Sequence, residues 1–470
     1  MSRSEEDDHE DVDAASVVRI YATTQRPDYE NPWQTEAPQS GTGSGVILGR
    51  GRVLTGAHVV ADATFLQVQK VSEPRKWTVS VEAINHDCDL ALLRVDDPSF
   101  DEGVVPPRLG PLPQLRDRVS VVGYPVGGEE ISITEGVVSR IEVQRYSHSK
   151  RNLLAVTVDA AINEGNSGGP VYLDGEIAGI AFQSWQDAEN IGEMVPAAII
   201  ERFLVSAERG LPAQIPGLGV SVQNLENPRL RRWAGLGEGQ SGVLVSTVES
   251  GGSADGVLQP GDALLAIDGH PIADNATIQY RGRVRTTFDA VLGDRFVGDA
   301  LEVTLRRDGE TSTREMTLAP FVALVARPQY DTQPSYFIYG GLVFQPLTVD
   351  YLRTWRDWWE KAPSELVRAY YQGTRTATRR ELIVLSAVLA DEINAGYEGR
   401  DHATVKTVNG TVPRDLAHFV EMVEGTRAGA VEIALSDHGV LVLDPAEARR
   451  RGPEILARYR VPSDRGPADG

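Results

Sequence analysis

The sequence predicts a mainly β protein with three folded units. At 470 residues the chain exceeds what one hydrophobic core serves, since domains run to roughly 100–200 residues. From Ser16 to about Gly210 it is a succession of short β-branched runs cut by glycine, proline and turn residues. Further on, one register returns. VLVSTVESGGSADG followed by LLAIDGHPI is echoed by IVLSAVLADEINAG followed by VKTVNGTVP, an internal duplication of about 100 residues.

Taken in chain order, residues 1–15 carry Glu5, Glu6, Asp7, Asp8, Glu10, Asp11 and Asp13 against Arg3 alone, the composition of a solvated, disordered tail. This is the opposite of a signal peptide, so the chain as written predicts a cytoplasmic protein, or a periplasmic or organellar one if a leader was removed. In residues 16–210 the runs VVRIYATT, GSGVILG, RVLTGAHVV, TFLQVQKV, ALLRV, RVSVVGY, ISITEGVVSRIEV, LLAVTVDA, PVYL and EIAGIAF fit strands. Many evenly spaced strands argue for barrels or sandwiches. AAIIERFLVSAERG sets Ala197, Ile200, Phe203, Leu204 and Ala207 at helical spacing and closes this unit. GLPAQIPGLGV is a linker into a second unit, 211–322, and ARPQYDTQPSYF leads into a third, 323–448. There Trp355, Trp358 and Trp359 lie at i, i+3, i+4, the packing stripe of one helix. The basic, turn-rich residues 449–470 read as a flexible tail.

Composition removes several function classes. A net charge of −21 gives no general pull toward nucleic acid or anionic lipid, and no apolar run approaches the length of a membrane span. The single cysteine, Cys88, excludes a disulfide framework and cysteine-rich zinc sites, and it reads as a small buried apolar residue. No GxxxxGK[ST] run and no clustered His/Cys/Glu set occurs, so neither cofactor nor metal is expected.

Three short motifs carry the chemistry: LTGAHVV, DCDLALL and NEGNSGGP. A serine hydroxyl is a poor nucleophile until a base lies in hydrogen-bond reach, and the base in turn needs a carboxylate to fix its tautomer. His58, Ser167 and either Asp89 or Asp87 supply these parts. Gly165, Gly168 and Gly169 permit a tight turn in which the N–H groups of Gly165 and Ser167 converge as an oxyanion hole.

With GTGSGVI, TGAHVV, the run Asp89-Leu90-Ala91-Leu92 and AAINEGNSGGP, the chain resembles the HtrA/Deg (protease Do-like) family of trypsin-like serine proteases over residues 16 to about 445. AFQSWQDAENIG and PSYFIYGGLVF are similar to the plant Deg branch. The resemblance implies a chymotrypsin-like double β-barrel followed by two α+β PDZ-type domains, the second divergent. It assigns the orienting carboxylate to Asp89, which directly precedes Leu-Ala-Leu. Gly56 departs from the family's usual Ala or Asn before Ala-His.

Six residues before Ser167, where digestive relatives place an aspartate, stands Ala161. With Ile162 and Phe182 it implies an apolar specificity pocket and cleavage after Val, Ala, Ile or Leu, unless Glu193 on the wall strand faces inward. Leu218, Gly219 and Val220 resemble the family's carboxylate loop for C-terminal peptides; Tyr339-Gly340-Gly341-Leu342-Val343 stands at the matching place of the second, more divergent copy, where oligomer contacts are expected rather than peptide binding. The family also implies a trimer or hexamer, for which Tyr21, Tyr29 and Trp33 are candidate contacts. The expected function is ATP-independent cleavage of unfolded protein. The alternative is a peptide-binding, chaperone-like scaffold with a latent protease domain.

Overall fold

A computed structural model of the chain describes residues 14–71, 73–125, 130–160, 162, 165–184 and 191–467. The acidic side chains of the N-terminal tail lie outside the described residues, as do Ala161, Asn163 and Glu164. The chain forms two compact units. One comprises residues up to Thr24, Pro38–Ser246 and Gly256–Phe321, and the other Gln25–Ala37, Thr247–Asp255 and Val322 onward.

The first unit begins with a seven-stranded antiparallel sheet in the spatial order Lys76–Thr78, Ala63–Lys70, Val17–Thr24, Gln39–Gly49, Arg52–Thr55, Leu90–Arg94, Ser80–Asn85. Alternation along Val17–Thr24 sends Val18, Ile20 and Ala22 into one core with Ile47, Val53, Val68 and Leu93. A second group closes into a six-stranded barrel of Arg118–Gly123, Ser132–Arg145, Asn152–Val158, Pro170–Leu173, Glu176–Ser184 and Gly192–Pro196. Val121, Val156, Val158, Val171 and Met194 fill it. The predicted helix runs Ala197–Arg209, burying Ile199, Ile200 and Phe203 and ending at Gly210 in the left-handed conformation. Each such buried side chain contributes about 1.5–3 kcal/mol.

In the same unit follow Val220–Asn224, Val243–Val248, Ala263–Ile267, Ala300–Arg307 and Glu310–Thr317, neighbours in that order, with Val220–Asn224 at the sheet edge. Pro216–Gly217 pairs instead with Ala319–Pro320.

The second unit has two three-stranded sheets. Phe337–Tyr339, Leu342–Pro346 and Ile383–Val388 form one, and Val405–Val408, Val431–Leu435 and Val440–Leu443 the other. Phe337, Phe344 and Phe419 meet at the centre of its core. Three sequence expectations change here. The tryptophan stripe does not lie on one helix: Asp357 at φ 56° breaks the chain between Trp355 and the short helix Trp358–Lys361, and Trp359 stays 56% exposed. Of residues 449–470, expected as a flexible tail, the described 449–467 are no loose tail, because the helix Pro445–Tyr459 crosses Gly452 and Pro453 with Ala448 and Ile455 buried, and Ile338 N–H donates to Asp464 O. Tyr29 packs into a cluster with Leu324, Leu347 and Tyr351 and is spent within this unit, whereas Trp33, which meets Tyr336 edge-on at 6.0 Å, stays half-buried. Among the described residues no helix is long and apolar enough to cross a membrane.

Candidate active site

The three motifs end on loops beside the first sheet and the barrel. His58 follows Gly56 in the short helix Ala57–Val60. Asp89 sits in the turn between Ser80–Asn85 and Leu90–Arg94, at φ 57°. Ser167 lies in the turn before Pro170–Leu173.

His58 and Asp89 meet twice. The imidazole Nδ1 lies 2.7 Å from Asp89 Oδ2, and the His58 backbone N–H donates to Oδ1 at 2.8 Å. A carboxylate accepting on Nδ1 fixes the proton there and leaves Nε2 as the free base nitrogen. Asp89 is fully buried while the imidazole is 28% exposed, so the pair opens to solvent from the histidine side. Burial opposes charge on His58, but the charge and hydrogen bond of Asp89 together outweigh it and raise the imidazole above its ordinary value. For Asp89, burial is likewise the largest influence and pushes upward, yet His58 and then His148 hold the carboxyl low. Asp87 is turned elsewhere, toward Arg151 at 3.0 Å. Burial pushes the Cys88 thiol far up, where it is inert as a nucleophile.

The serine turn is pressed against the histidine loop. Gly165 and Gly168 take φ 100° and 83°. A Cβ on Gly168 would collide with Thr55 Oγ1 and the Ser44 carbonyl and stand 3.0 Å from Gly56 N. At Gly56 a Cβ would come 2.7 Å from His58 Cε1 and 3.7 Å from Gly168 Cα, so a larger residue there would require the imidazole to shift. Gly168 N–H donates to Ala181 O at 2.7 Å, and Ser44 N–H to Ser167 O at 3.0 Å.

Sequence reasoning left Ser44 without a role. Its buried hydroxyl donates to Gly165 O at 2.7 Å and accepts from Tyr124 N–H at 2.8 Å, tying the glycine turn to the strand Gln39–Gly49 and to the residue that follows Arg118–Gly123. The signal was a polar residue inside the apolar strand of GTGSGVI. His148 was missed as well; its Nε2 lies 3.0 Å from His86 Nδ1 and its ring 6.3 Å from that of His58.

Of the expected pocket residues, Ala161 lies outside the described residues. Ile162 is buried beside Met194 and Ala160, and a Cβ on Gly192 would strike its side chain. Since strand residues alternate, Gly192 and Met194 face Ile162 and Glu193 takes the opposite face, where its charge acts on Tyr146. Ile162 is thus part of the barrel core, and the fully buried Glu193 lies on the other face, the side of Tyr146. Phe182 packs on Tyr146 at 4.4 Å between ring centroids. In the candidate peptide loop Leu218 is buried, Gly219 takes φ 75°, and Val220 opens the edge strand.

Residues 43–180 match the trypsin-like peptidase domain family, and residues 216–318 and 325–468 match two PDZ domain families. Among curated relatives, "Protease Do-like 2, chloroplastic" of Arabidopsis thaliana is 37% identical over 478 residues, spanning 99% of this chain and 77% of that protein. "Protease Do-like 4, mitochondrial" of the same plant is 36% identical, spanning 95% and 84%. Among solved structures, "HtrA-type protease AlgW with decapeptide" aligns with a TM-score of 0.51 at 23% identity, covering 68% of this chain and 99% of that one. The same protein with a tripeptide gives 0.52 at 24%, covering 67% and 97%. These structural likenesses are in fold.

Proposed function

The chain belongs to the protease Do-like (HtrA/Deg) family of trypsin-like serine endopeptidases with two PDZ domains, and from that premise we propose that Ser167, His58 and Asp89 form its catalytic triad and act on unfolded or damaged protein without ATP. The observation that carries the proposal is the doubly bonded His58–Asp89 pair set against the glycine turn of Ser167. Ser167 Oγ attacks the scissile carbonyl as its proton passes to His58 Nε2. The oxyanion is received by the N–H groups of Gly165 and Ser167. His58 returns the proton to the leaving amine, and water, activated by the same base, then hydrolyses the acyl-enzyme. This route invokes no metal or cofactor.

Cleavage after Val, Ala, Ile or Leu is supported by the apolar Phe182, each methylene being worth about 1 kcal/mol, and is opposed by Glu193, which acts on the same Tyr146 that Phe182 packs against. The edge strand that begins at Val220, behind Leu218 and Gly219, suits capture of C-terminal peptides by strand addition. Assembly as a trimer or hexamer rests on family membership.

The test is β-casein digestion. The wild type must cleave it, and Ser167→Ala or a serine-directed fluorophosphonate must abolish cleavage; a wild type inert with and without added C-terminal peptides would favour the scaffold. Because a protonated His58 cannot act as base, kcat/KM should fall as pH drops through a value above 6.5. Library profiling that found Arg or Lys preferred at the cleaved position would overturn the pocket assignment, and light scattering that found a monomer would overturn the assembly.

A further inference from the structure

Asp87, passed over as the base's partner, is the centre of a partly buried clamp two residues from Asp89. Its N–H donates to Asn85 Oδ1 at 3.0 Å and its carbonyl accepts from Ser149 Oγ at 2.8 Å. Its carboxylate Oδ2 accepts from Arg151 Nη1 at 3.0 Å and from Ile215 N–H at 2.9 Å. Arg151, whose side chain is only 5% exposed, uses the rest of its fork on the same stretch: Nη1 donates to Ile215 O at 2.8 Å and Nη2 to Pro216 O at 2.7 Å. Its guanidinium also lies 4.9 Å over the Phe321 ring. Asn85 Nδ2 and Arg202 Nη1 hold the Ala213 carbonyl next door.

These bonds bear on the triad because of the backbone at Asp89. Asp89 holds a left-handed backbone at φ 57°, which aspartate tolerates better than most residues but which fixes the direction of its side chain only while the turn around it is held. The Asn85–Asp89 turn also has to place two carboxylate oxygens on two His58 donors at once. Asp87 fixes that turn through its backbone N–H, its carbonyl and its side chain. Two of the groups that pin it, Arg151 and Ile215, lie 64 and 128 residues further along the chain.

We propose that Asp87 and Arg151 are positioning residues for Asp89, and that the segment Ala213–Pro216, which leads into the first PDZ loop, is part of the active-site scaffold. A lysine cannot replace the arginine, because a single ammonium does not span the Asp87 carboxylate and two successive carbonyls. Displacing a catalytic group by about 1 Å costs about 100-fold in rate, so loosening the turn lowers kcat with little change in KM.

The proposal rests on the protease reading, and its test keeps the two apart. In the full chain, turnover of a quenched fluorescent peptide is measured for Arg151→Met, Arg151→Lys, Asp87→Asn and Arg151→Met/Asp87→Asn, normalised to active sites titrated with a fluorophosphonate. Arg451→Met, which breaks a buried ion pair with Asp391 in the other unit, is the control for lost stability. We expect kcat per titrated site to fall at least 10-fold in each single variant, with KM within about 2-fold, the double variant no worse than the singles, and the control at wild-type kcat. A kcat per site that stays at wild-type level while only the melting temperature drops would overturn the inference and leave the protease reading standing, as would an equal loss in the control. A wild type that shows no Ser167-dependent cleavage would remove both.

Discussion

The two PDZ units carry glycine loops at matching places, Leu218-Gly219-Val220 and Gly340-Gly341-Leu342, yet the strand that follows has one neighbour in the first unit and two in the second. Val220–Asn224 is the edge of its sheet, whereas Leu342–Pro346 lies between Ile383–Val388 and Phe337–Tyr339. The difference arises upstream of each loop. In the first unit Pro216–Gly217 is drawn off to pair with Ala319–Pro320. In the second, Phe337–Tyr339 folds back across Gly340 and Gly341 as a two-residue hairpin and takes the edge itself, with Tyr339 opposite Leu342 and Phe337 opposite Phe344. A peptide adds as a strand only where backbone N–H and C=O groups are unpaired. What precedes the loop therefore decides whether the groove is open.

The same substitution in both loops gives the largest expected contrast. At Gly341, φ 81°, an added Cβ would strike the Leu389 carbonyl oxygen and stand 2.5 Å from Asn394 Nδ2. Gly341→Ala should cost about 3 kcal/mol or more, against about 1 kcal/mol expected from the positive φ at Gly219 for Gly219→Ala. Urea titration followed by tryptophan fluorescence reads both, and equal costs would break the comparison. A smaller effect is expected in binding. A labelled peptide with a free apolar C-terminus should bind at least about 10-fold (~1.4 kcal/mol) more tightly than its amide, with Gly219→Ala weakening it and Gly340→Ala leaving it unchanged by fluorescence anisotropy. Loss through Gly340 would place the site in the second unit instead.

The smallest effect is one of pH. Hydrogen bonds from Arg451 and Arg458 hold the Asp391 carboxyl down at about 2, against burial that pushes it up. A depressed carboxyl contributes stability at pH values above its unfolded value, roughly 4, and loses it as pH falls toward the folded one. The thermal midpoint of the second unit should therefore drop between pH 4 and pH 2, and Asp391→Asn should remove that part of the slope. A midpoint flat over this window would show the pair to be energetically idle.

Much of this was legible in the chain, and the gaps have physical causes. The barrel strands and the helix Ala197–Arg209 follow their periodicities, and the local motifs named the residues of the His58–Asp89 pair and the serine turn. The choice between Asp87 and Asp89 needed family resemblance, since two positions apart on a strand share a face. Tyr339-Gly340-Gly341-Leu342 held a hairpin signal, but it was read only as the loop at the matching place of a divergent copy, suited to oligomer contacts more than to peptide binding. Gly452 and Pro453 argued against a helix, yet the burial of Ala448 and Ile455 overrode their propensities. The Arg151 clamp had no local signal, because its acceptors lie 64 and 65 residues away.

One loop of the first sheet has a consequence for synthesis. Gln25–Ala37 leaves between two strands of the first unit and belongs to the second, where Tyr29 O accepts from Gln345 Nε2 across 316 residues. At the ordinary translation rate of about 5–20 residues per second, Tyr29 and Trp33 leave the ribosome tens of seconds before the chain that buries them exists. During that interval the nascent chain presents two bare aromatics on an excursion it cannot retract. Completion of the fold is thus deferred to the last third of translation, and a chain released early would expose an adhesive patch near its own beginning.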